Sequence, residues 1–362
     1  MKKTTILLGA GAMIPFGGPS TNEIIERLLV HESCKYIYDV VQQGYEEQCN
    51  FESLLSALEL LLEWNLSNDK TRHLTFHNTS IYRNVFQLAL PFQYHNTDTV
   101  WEIYKQVIND IIEVIKDYDY YPQYTGCRNG KDPAILDSFI SKCQEDSDLK
   151  IYTLNYDRLI PNVLGNKLDV YESIESESFS YDLKKFSNHH LTYFNLHGSI
   201  YIDYNPYTGI KLLDRPVELE HAIIINGGNP NEQKIFLPII AGYHKSQRMM
   251  SQPFNFGLGA FMCDCDVCER IVIVGYSFSD PHVNSILSNY IKTNKTEIII
   301  VDYTFDYVHT RSIINTARRA FKTKTDFEKV EDGIYRNTSD AITIFLKGFD
   351  NYIDDFLNHT TR

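Results

Sequence analysis

The sequence predicts an α/β protein built on a doubly wound, Rossmann-like parallel sheet, and two observations predict it. Four short β-branched apolar runs, far apart in the chain, each end abruptly in small or polar residues, as buried parallel strands do at their carboxyl ends. From Asn255 to the end, strand and helix patterns also alternate, which implies right-handed crossovers within one sheet.

The four runs are Thr4 to Leu8 into Gly9-Ala10-Gly11, Ile151 to Thr153 into Asn155-Tyr156-Asp157, Tyr193 to Leu196 into His197-Gly198, and Ile271 to Val274 into Gly275-Tyr276-Ser277-Phe278-Ser279-Asp280. Read as parallel strands, they gather a Gly-rich turn, an Asn/Asp pair, a His and a hydroxyl-bearing turn at one crevice.

After the first strand, Ser20-x-x-Glu23 is a capping box opening a helix from Thr21 to Val30. Residues 32–145 then carry apolar positions at helical spacing and form a helical insertion. Phe51, Leu54, Leu55, Leu58, Leu61 and Leu62 mark one helix; Trp101, Tyr104, Val107, Ile108, Ile111, Ile112 and Ile115 mark another.

Residues 201–254 read as a small β-rich excursion, with a turn at Asn205-Pro206-Tyr207-Thr208-Gly209 and short strands at Ala222 to Ile225 and Ile235 to Leu237. The alternating part predicts a helix Phe261 to Cys268, strand Arg270 to Val274, helix His282 to Thr293, strand Ile298 to Val301, helix Tyr307 to Phe321 and strand Ile342 to Leu346. The whole is expected to be one domain of 362 residues with these two additions.

Composition narrows the function. With 43% hydrophobic and 22% charged residues the chain is ordinary for a globular protein. A formal charge of -13 disfavours direct binding to a nucleic-acid backbone. The 25 tyrosines fit half-buried surfaces better than a base-stacking platform. The basic start followed by an apolar stretch imitates a secretory signal, yet its apolar core is only one strand long before Gly9. No window is long and apolar enough for a bilayer. Together with seven cysteines, an odd number, this gives an expected cytoplasmic location and no membrane.

Gly9 and Gly11 are expected to let backbone N–H groups approach a pyrophosphate, since a Cβ there would crowd it. The third glycine of the dinucleotide fingerprint is missing, position 14 being Ile, which disfavours a nicotinamide dehydrogenase. Asn155 and Asp157 also suit turn formation, His197 also suits a structural hydrogen bond, and Ser277, Ser279 and Asp280 also suit helix capping before Pro281. Their conjunction at four strand ends favours a site.

These motifs, with Thr153-Leu154 preceding Asn155-Tyr156-Asp157, Leu196 preceding His197-Gly198, and Val301-Asp302 closing a later strand, resemble the sirtuin-like superfamily of NAD-consuming domains over almost the full chain. The branch most similar is the bacterial anti-phage defence group of NAD hydrolases. Two departures from sirtuin deacylases stand out. Residues 197–262 hold no cysteine where deacylases carry paired zinc ligands, and Cys263, Cys265 and Cys268 offer only three thiols, so no metal is expected. The Asp-Phe-Arg element is replaced by Phe16-Gly17-Gly18-Pro19-Ser20.

The resemblance implies NAD as substrate, with Asn155 orienting water or ribose hydroxyls, Asp157 recognising the carboxamide and His197 acting as base. It implies Gly9, Ala10 and Gly11 at the pyrophosphate, Gly275 and Ser277 on the adenosine side, and Asp302 at a ribose hydroxyl. Asp302 equally suits a helix cap. The implied function is an NAD glycohydrolase giving nicotinamide and ADP-ribose or its cyclic form, as a triggered defence effector. The implied assembly is a homo-oligomer, or a complex with a ring-forming HerA-like ATPase. The alternatives are an NAD-dependent protein deacylase or ADP-ribosyltransferase, and an inert NAD- or ADP-ribose-sensing scaffold.

Overall fold

The computed structural model describes residues 1–43, 49–66, 96–119, 130–168, 171–175, 178–181, 189–205, 209–217, 224–226, 233–235, 239–291, 295–323, 325–337, 339 and 341–359. The strands are β1 (Lys2–Leu8), β2 (Ser147–Thr153), β3 (Tyr171–Glu175), β4 (Ser178–Tyr181), β5 (Leu191–Asn195), β6 (Ile202–Asn205) and β7 (Gly209–Leu213). They continue with β8 (Ile224–Asn226), β9 (Gln233–Ile235), β10 (Arg270–Val274), β11 (Glu297–Val301), β12 (Glu328–Glu331), β13 (Ile334–Asn337) and β14 (Ile342–Phe345). Contacts divide the chain into two compact units: 1–18 with 122–199 and 252–362, and 19–121 with 200–251.

The first unit holds a sheet ordered β12-β13-β14-β11-β10-β1-β2-β5 among the described residues. From β5 through β14 every pairing is parallel, with Leu8 opposite both Val274 and Thr153. Chain order runs β1, β2, β5 outward on one side and β10, β11, β14 outward on the other. The connections therefore diverge between β1 and β10, and ligands of doubly wound sheets bind outside the carboxyl ends at such a point. The apolar runs are buried as parallel strands require: Leu7, Ile151, Phe194, Ile273 and Ile300 are each at most 1% exposed.

Helices Phe254–Val267, Pro281–Tyr290 and Tyr307–Phe321 belong to this unit, as do Ala134–Gln144 and Phe349–His359. The last two meet through Phe139, whose ring lies edge-on to Phe349, Tyr352 and Phe356. Helix Phe254–Val267 begins seven residues before the expected Phe261. Its first turns contain Gly257 and Gly259, which weaken a helical pattern. Gly257 sits against Phe194 of β5, where a β-carbon would lie 2.1 Å from a ring carbon.

The antiparallel hairpin of β12 and β13 extends the sheet past β14 and was not expected. All four residues of β12 are exposed, so no apolar alternation marks it. Asp332-Gly333 between the strands is the local signal. Another unexpected hairpin pairs β3 with β4, Tyr171 opposite Tyr181.

The second unit contains helices Thr21–Leu28, Glu32–Gln42, Phe51–Leu66 and Thr97–Asp119, helix Lys245–Met249, and the hairpins β6–β7 and β8–β9. The capping box forms: Ser20 Oγ accepts from Glu23 N at 3.2 Å and Glu23 Oε2 accepts from Ser20 N at 2.7 Å. The apolar stripes of the long helices are buried, Leu54, Leu55, Leu58, Val107 and Ile111 completely. Between them Glu59, fully buried, accepts from Tyr104 Oη, Arg248 Nη2 and His244 N at 2.7 to 3.1 Å. Positions 206–208, 222–223, 236–237 and 292–293, on which parts of the expected turn, strands and helix fall, lie outside the described residues. Among the described residues no helix is long and apolar enough to cross a membrane.

Candidate functional site

The carboxyl ends of β5, β2, β1 and β10 lie side by side, and all the singled-out loops belong to the first unit. The loop after β1 packs directly on the loop after β10. Gly9 N donates to Val274 O at 2.8 Å and Gly11 N to Gly275 O at 3.0 Å. A β-carbon on Gly9 would lie 2.5 Å from Gly275 O, and one on Gly275, where φ is +58°, would lie 2.1 Å from Ala12 N. The glycines thus let two backbone turns touch. Their amide hydrogens serve that junction rather than pointing outward as expected, and exposed Ala10 separates them.

Asn155, half-buried at the end of β2, donates from Nδ2 to Gly9 O at 3.0 Å, joining the second loop to the first. Its own carbonyl accepts from Asn195 Nδ2 at 3.1 Å, which joins the β5 end. Asp157 is buried, and its Oδ1 accepts from Leu159 N at 2.9 Å at the start of helix Leu159–Leu164. Ser199 Oγ donates to Tyr156 O at 2.7 Å, fixing the segment after His197 beneath the Asn-Tyr-Asp turn.

His197 is 4% exposed, and its Nε2 lies 3.0 Å from Oδ2 of Asp280, itself 5% exposed. Oδ1 of the same carboxylate caps helix Pro281–Tyr290, accepting from His282 N at 2.8 Å and Val283 N at 3.2 Å. The cap reading of Asp280 is therefore correct, and the carboxylate also pairs with the His, which sequence order could not reveal. Tyr276 Oη donates to Asn284 Oδ1 at 2.9 Å and also receives Asp280 N at 3.2 Å. Asn284 Nδ2 donates to Phe278 O at 2.7 Å and Phe278 has φ of 56°, so the loop is held in a conformation that L-residues seldom adopt. Ser277 and Ser279 are exposed, their hydroxyls 2.9 Å apart.

Asp302, at the end of β11, accepts from Tyr303 N at 2.8 Å, and burial raises its carboxyl above the ordinary range. It caps its own turn and does not open helix Tyr307–Phe321, which Asp306 caps by accepting from His309 N.

Contacts therefore bring together Gly9, Gly11, Asn155 and Gly275, and separately His197 and Asp280, on loops that adjoin one another. Asn195, Ser199 and Asn284 support them and were not singled out. A polar residue ending an apolar strand was the available signal for Asn195. Away from this end, burial pushes the Cys268 thiol up to about 11 and Cys265 well above its usual value, so both keep their protons near neutrality. Among the described residues no group of three or more His, Cys, Asp or Glu side chains is placed to hold a metal ion.

No family model matches the chain, and no curated protein matches it. Solved structures that match include a Sir2 homologue with a serine-to-alanine substitution in its ADP-ribose complex, 13% identical, covering 90% of this chain and 96% of that one with a TM-score of 0.38. A Sir2 homologue with a phenylalanine-to-alanine substitution, also an ADP-ribose complex, is 12% identical with the same coverage and a TM-score of 0.37.

Proposed function

We propose that the chain is an NAD glycohydrolase, releasing nicotinamide and ADP-ribose or its cyclic form from the loops at the carboxyl ends of β5, β2, β1 and β10. The observation that carries this reading is the buried His197–Asp280 pair on two of the loops that also present half-buried Asn155 and the Gly9–Gly275 junction.

Nicotinamide bound to ribose is already a cationic leaving group, so its departure needs no acid to protonate it. What the site must supply is stabilisation of an oxocarbenium-like sugar, one positioned water or hydroxyl, and a base. In this reading His197 takes the proton from that water or from a ribose hydroxyl, and Asp280 stabilises the imidazolium that results. General-base help of this kind gives about 10²- to 10⁴-fold. Asn155, tied through Nδ2 to Gly9 O, presents Oδ1 as an acceptor that orients the water or the ribose. Asp157 is assigned to the carboxamide side.

The Gly9-Ala10-Gly11 turn takes the pyrophosphate side without the Gly9 and Gly11 amides, which the junction engages, Gly275 and Ser277 take the adenosine side, and Asp302 an adenosine ribose hydroxyl. A carboxylate at Asp302 disfavours the extra phosphate of NADP. Burial of His197 accords with a site that opens on a trigger. On that reading the chain is a defence effector acting as a homo-oligomer or with an ATPase partner in the cytoplasm.

The test is mass spectrometry of NAD metabolites with the full chain, alone and in extract from phage-infected cells, beside His197→Ala and Asn155→Ala. The reading expects nicotinamide release by the wild type and loss of at least 100-fold in both variants. Equal release by all three overturns the residue assignment. Nucleotide binding with no turnover in either condition overturns the enzyme reading in favour of a sensing scaffold.

A further inference from the structure

A cleft of about 230 Å³ opens at the opposite end of the sheet, among Lys3, Asp148, Lys150, His189, His190 and Asp264. Lys150 lies three residues, about 10 Å at ~3.3 Å per residue, before the carboxyl end of β2 at Thr153, so this cleft is separate from the loops described above. Its position follows from register. Lys3 pairs with Asp148 and Thr5 with Lys150, so alternation puts Asp148, Lys150 and Tyr152 on one face of β2.

Helix Phe254–Val267 covers that face. Phe261 packs on the Tyr152 ring at 4.9 Å, and Asp264 Oδ2 accepts from Tyr152 Oη at 2.5 Å. The helix ends at Val267, leaving the amino-terminal part of the face open as the cleft.

Within it the charges are arranged unequally. Asp148 pairs with His190 Nδ1, while Lys150 Nζ donates to His189 O at 2.6 Å. A lysine on an interior strand of a parallel sheet is costly because its ammonium loses water, and the His189 carbonyl offsets part of that cost.

We propose that Lys150 is the reactive amine of a second small-molecule site, condensing with a small aldehyde or ketone that enters this cleft, with Asp264 as the proton donor and acceptor. The amine lone pair adds to the carbonyl carbon as the C=O π pair moves to oxygen, and one nitrogen proton passes to that oxygen. The Asp264 carboxyl then protonates the hydroxyl, which leaves as water while the C=N bond forms. The Asp264 carboxylate takes back the nitrogen's proton. One carbonyl compound and one amine give one imine and one water, and no oxidant or reductant is needed.

Two properties of the groups suit these roles. Burial pushes the Lys150 ammonium below its ordinary value despite Asp264 and Asp148 nearby, so it gives up its proton more readily than an exposed lysine. Burial pushes the Asp264 carboxyl above its ordinary range, against the opposing pull of the Tyr152 hydroxyl that donates to it and of Lys150 and Lys3.

The full chain is incubated with benzaldehyde and cyanoborohydride, which traps imines as stable adducts, and labelled lysines are mapped by peptide mass spectrometry. Lys150 is expected to label at least tenfold faster than exposed Lys35, and Asp264→Asn to reduce that ratio at least fivefold with Lys35 labelling unchanged. The wild-type comparison needs no variant to fold. Labelling of Lys150 no faster than Lys35, or a ratio unchanged by Asp264→Asn, overturns the proposal.

Discussion

His197 Nε2 and Asp280 Oδ2 lie 3.0 Å apart although β5 and β10, the strands before them, are separated in the sheet by β2 and β1. The loop from Gly275 to Asp280 therefore reaches across two strand ends. The same carboxylate holds the first turn of helix Pro281–Tyr290 with its other oxygen. A helix terminus and a candidate base are thus fixed by one side chain. Replacing Asp280 by Asn keeps a capping acceptor and removes the charge. Nicotinamide release is expected to fall about 100-fold with an altered pH–rate profile, while the melting temperature changes little. Asp280→Ala should lose the cap as well, about 1 kcal/mol of stability. A pH–rate profile identical in wild type and Asp280→Asn would show that the carboxylate does not act on His197.

Gly275→Ala tests the junction of the first and fourth loops. The new β-carbon would meet backbone atoms of Gly11 and Ala12 at 2.1 to 2.5 Å, and φ of +58° is unfavourable for alanine. Neither neighbour can rotate away. Urea denaturation is expected to show a loss of about 3 kcal/mol or more; a midpoint within error of wild type would mean that the two turns do not touch in solution.

In the second unit, Glu59→Ala would leave Arg248 buried without its carboxylate, at a cost of about 3–5 kcal/mol. Arg248→Met in the same chain removes the stranded charge and should restore part of that loss. The comparison of the three unfolding curves separates a buried ion pair from simple packing, since packing losses would add.

Asp302 gives a pH signature. Burial raises its carboxyl above 3.8 in the folded chain. Its favourable contribution to folding is therefore complete below that ordinary value and is lost as pH rises through the raised one. Asp302→Asn, which cannot ionise, should gain stability relative to wild type as pH goes from 4 to 7 in thermal melts. A constant difference across that window would refute the assignment.

Much of this architecture was legible because parallel strands announce themselves. β1, β2, β5, β10, β11 and β14 each contain an apolar run closed by a change of chemistry, and the sheet sets β10 beside β1 although the two are far apart in the chain. The long helices at Phe51–Leu66 and Thr97–Asp119 were legible through their period. Illegible were elements whose stability is tertiary. Helix Phe254–Val267 carries in its first turns Gly257, whose lack of a side chain is explained by the Phe194 ring, and β12 has no buried residue to mark its alternation. For the site, residue types were readable at each strand end, but not which ones meet. The Asp280 side chain was visible as a cap, whereas its reach to His197 depends on a loop held by Asn284 and Tyr276. The glycine pattern announces a close approach, and the approach the structure shows is that of Gly9 and Gly11 to Gly275.

The β12–β13 hairpin bears on how copies of this chain can meet. A bare strand at the rim of a sheet invites a foreign strand to bond alongside it, and charged side chains discourage that recruitment. Glu328, Lys329 and Glu331 stand exposed along β12, the outermost strand on that side among the described residues. Growth of the sheet by edge-to-edge stacking is opposed there, so self-assembly through that rim is disfavoured.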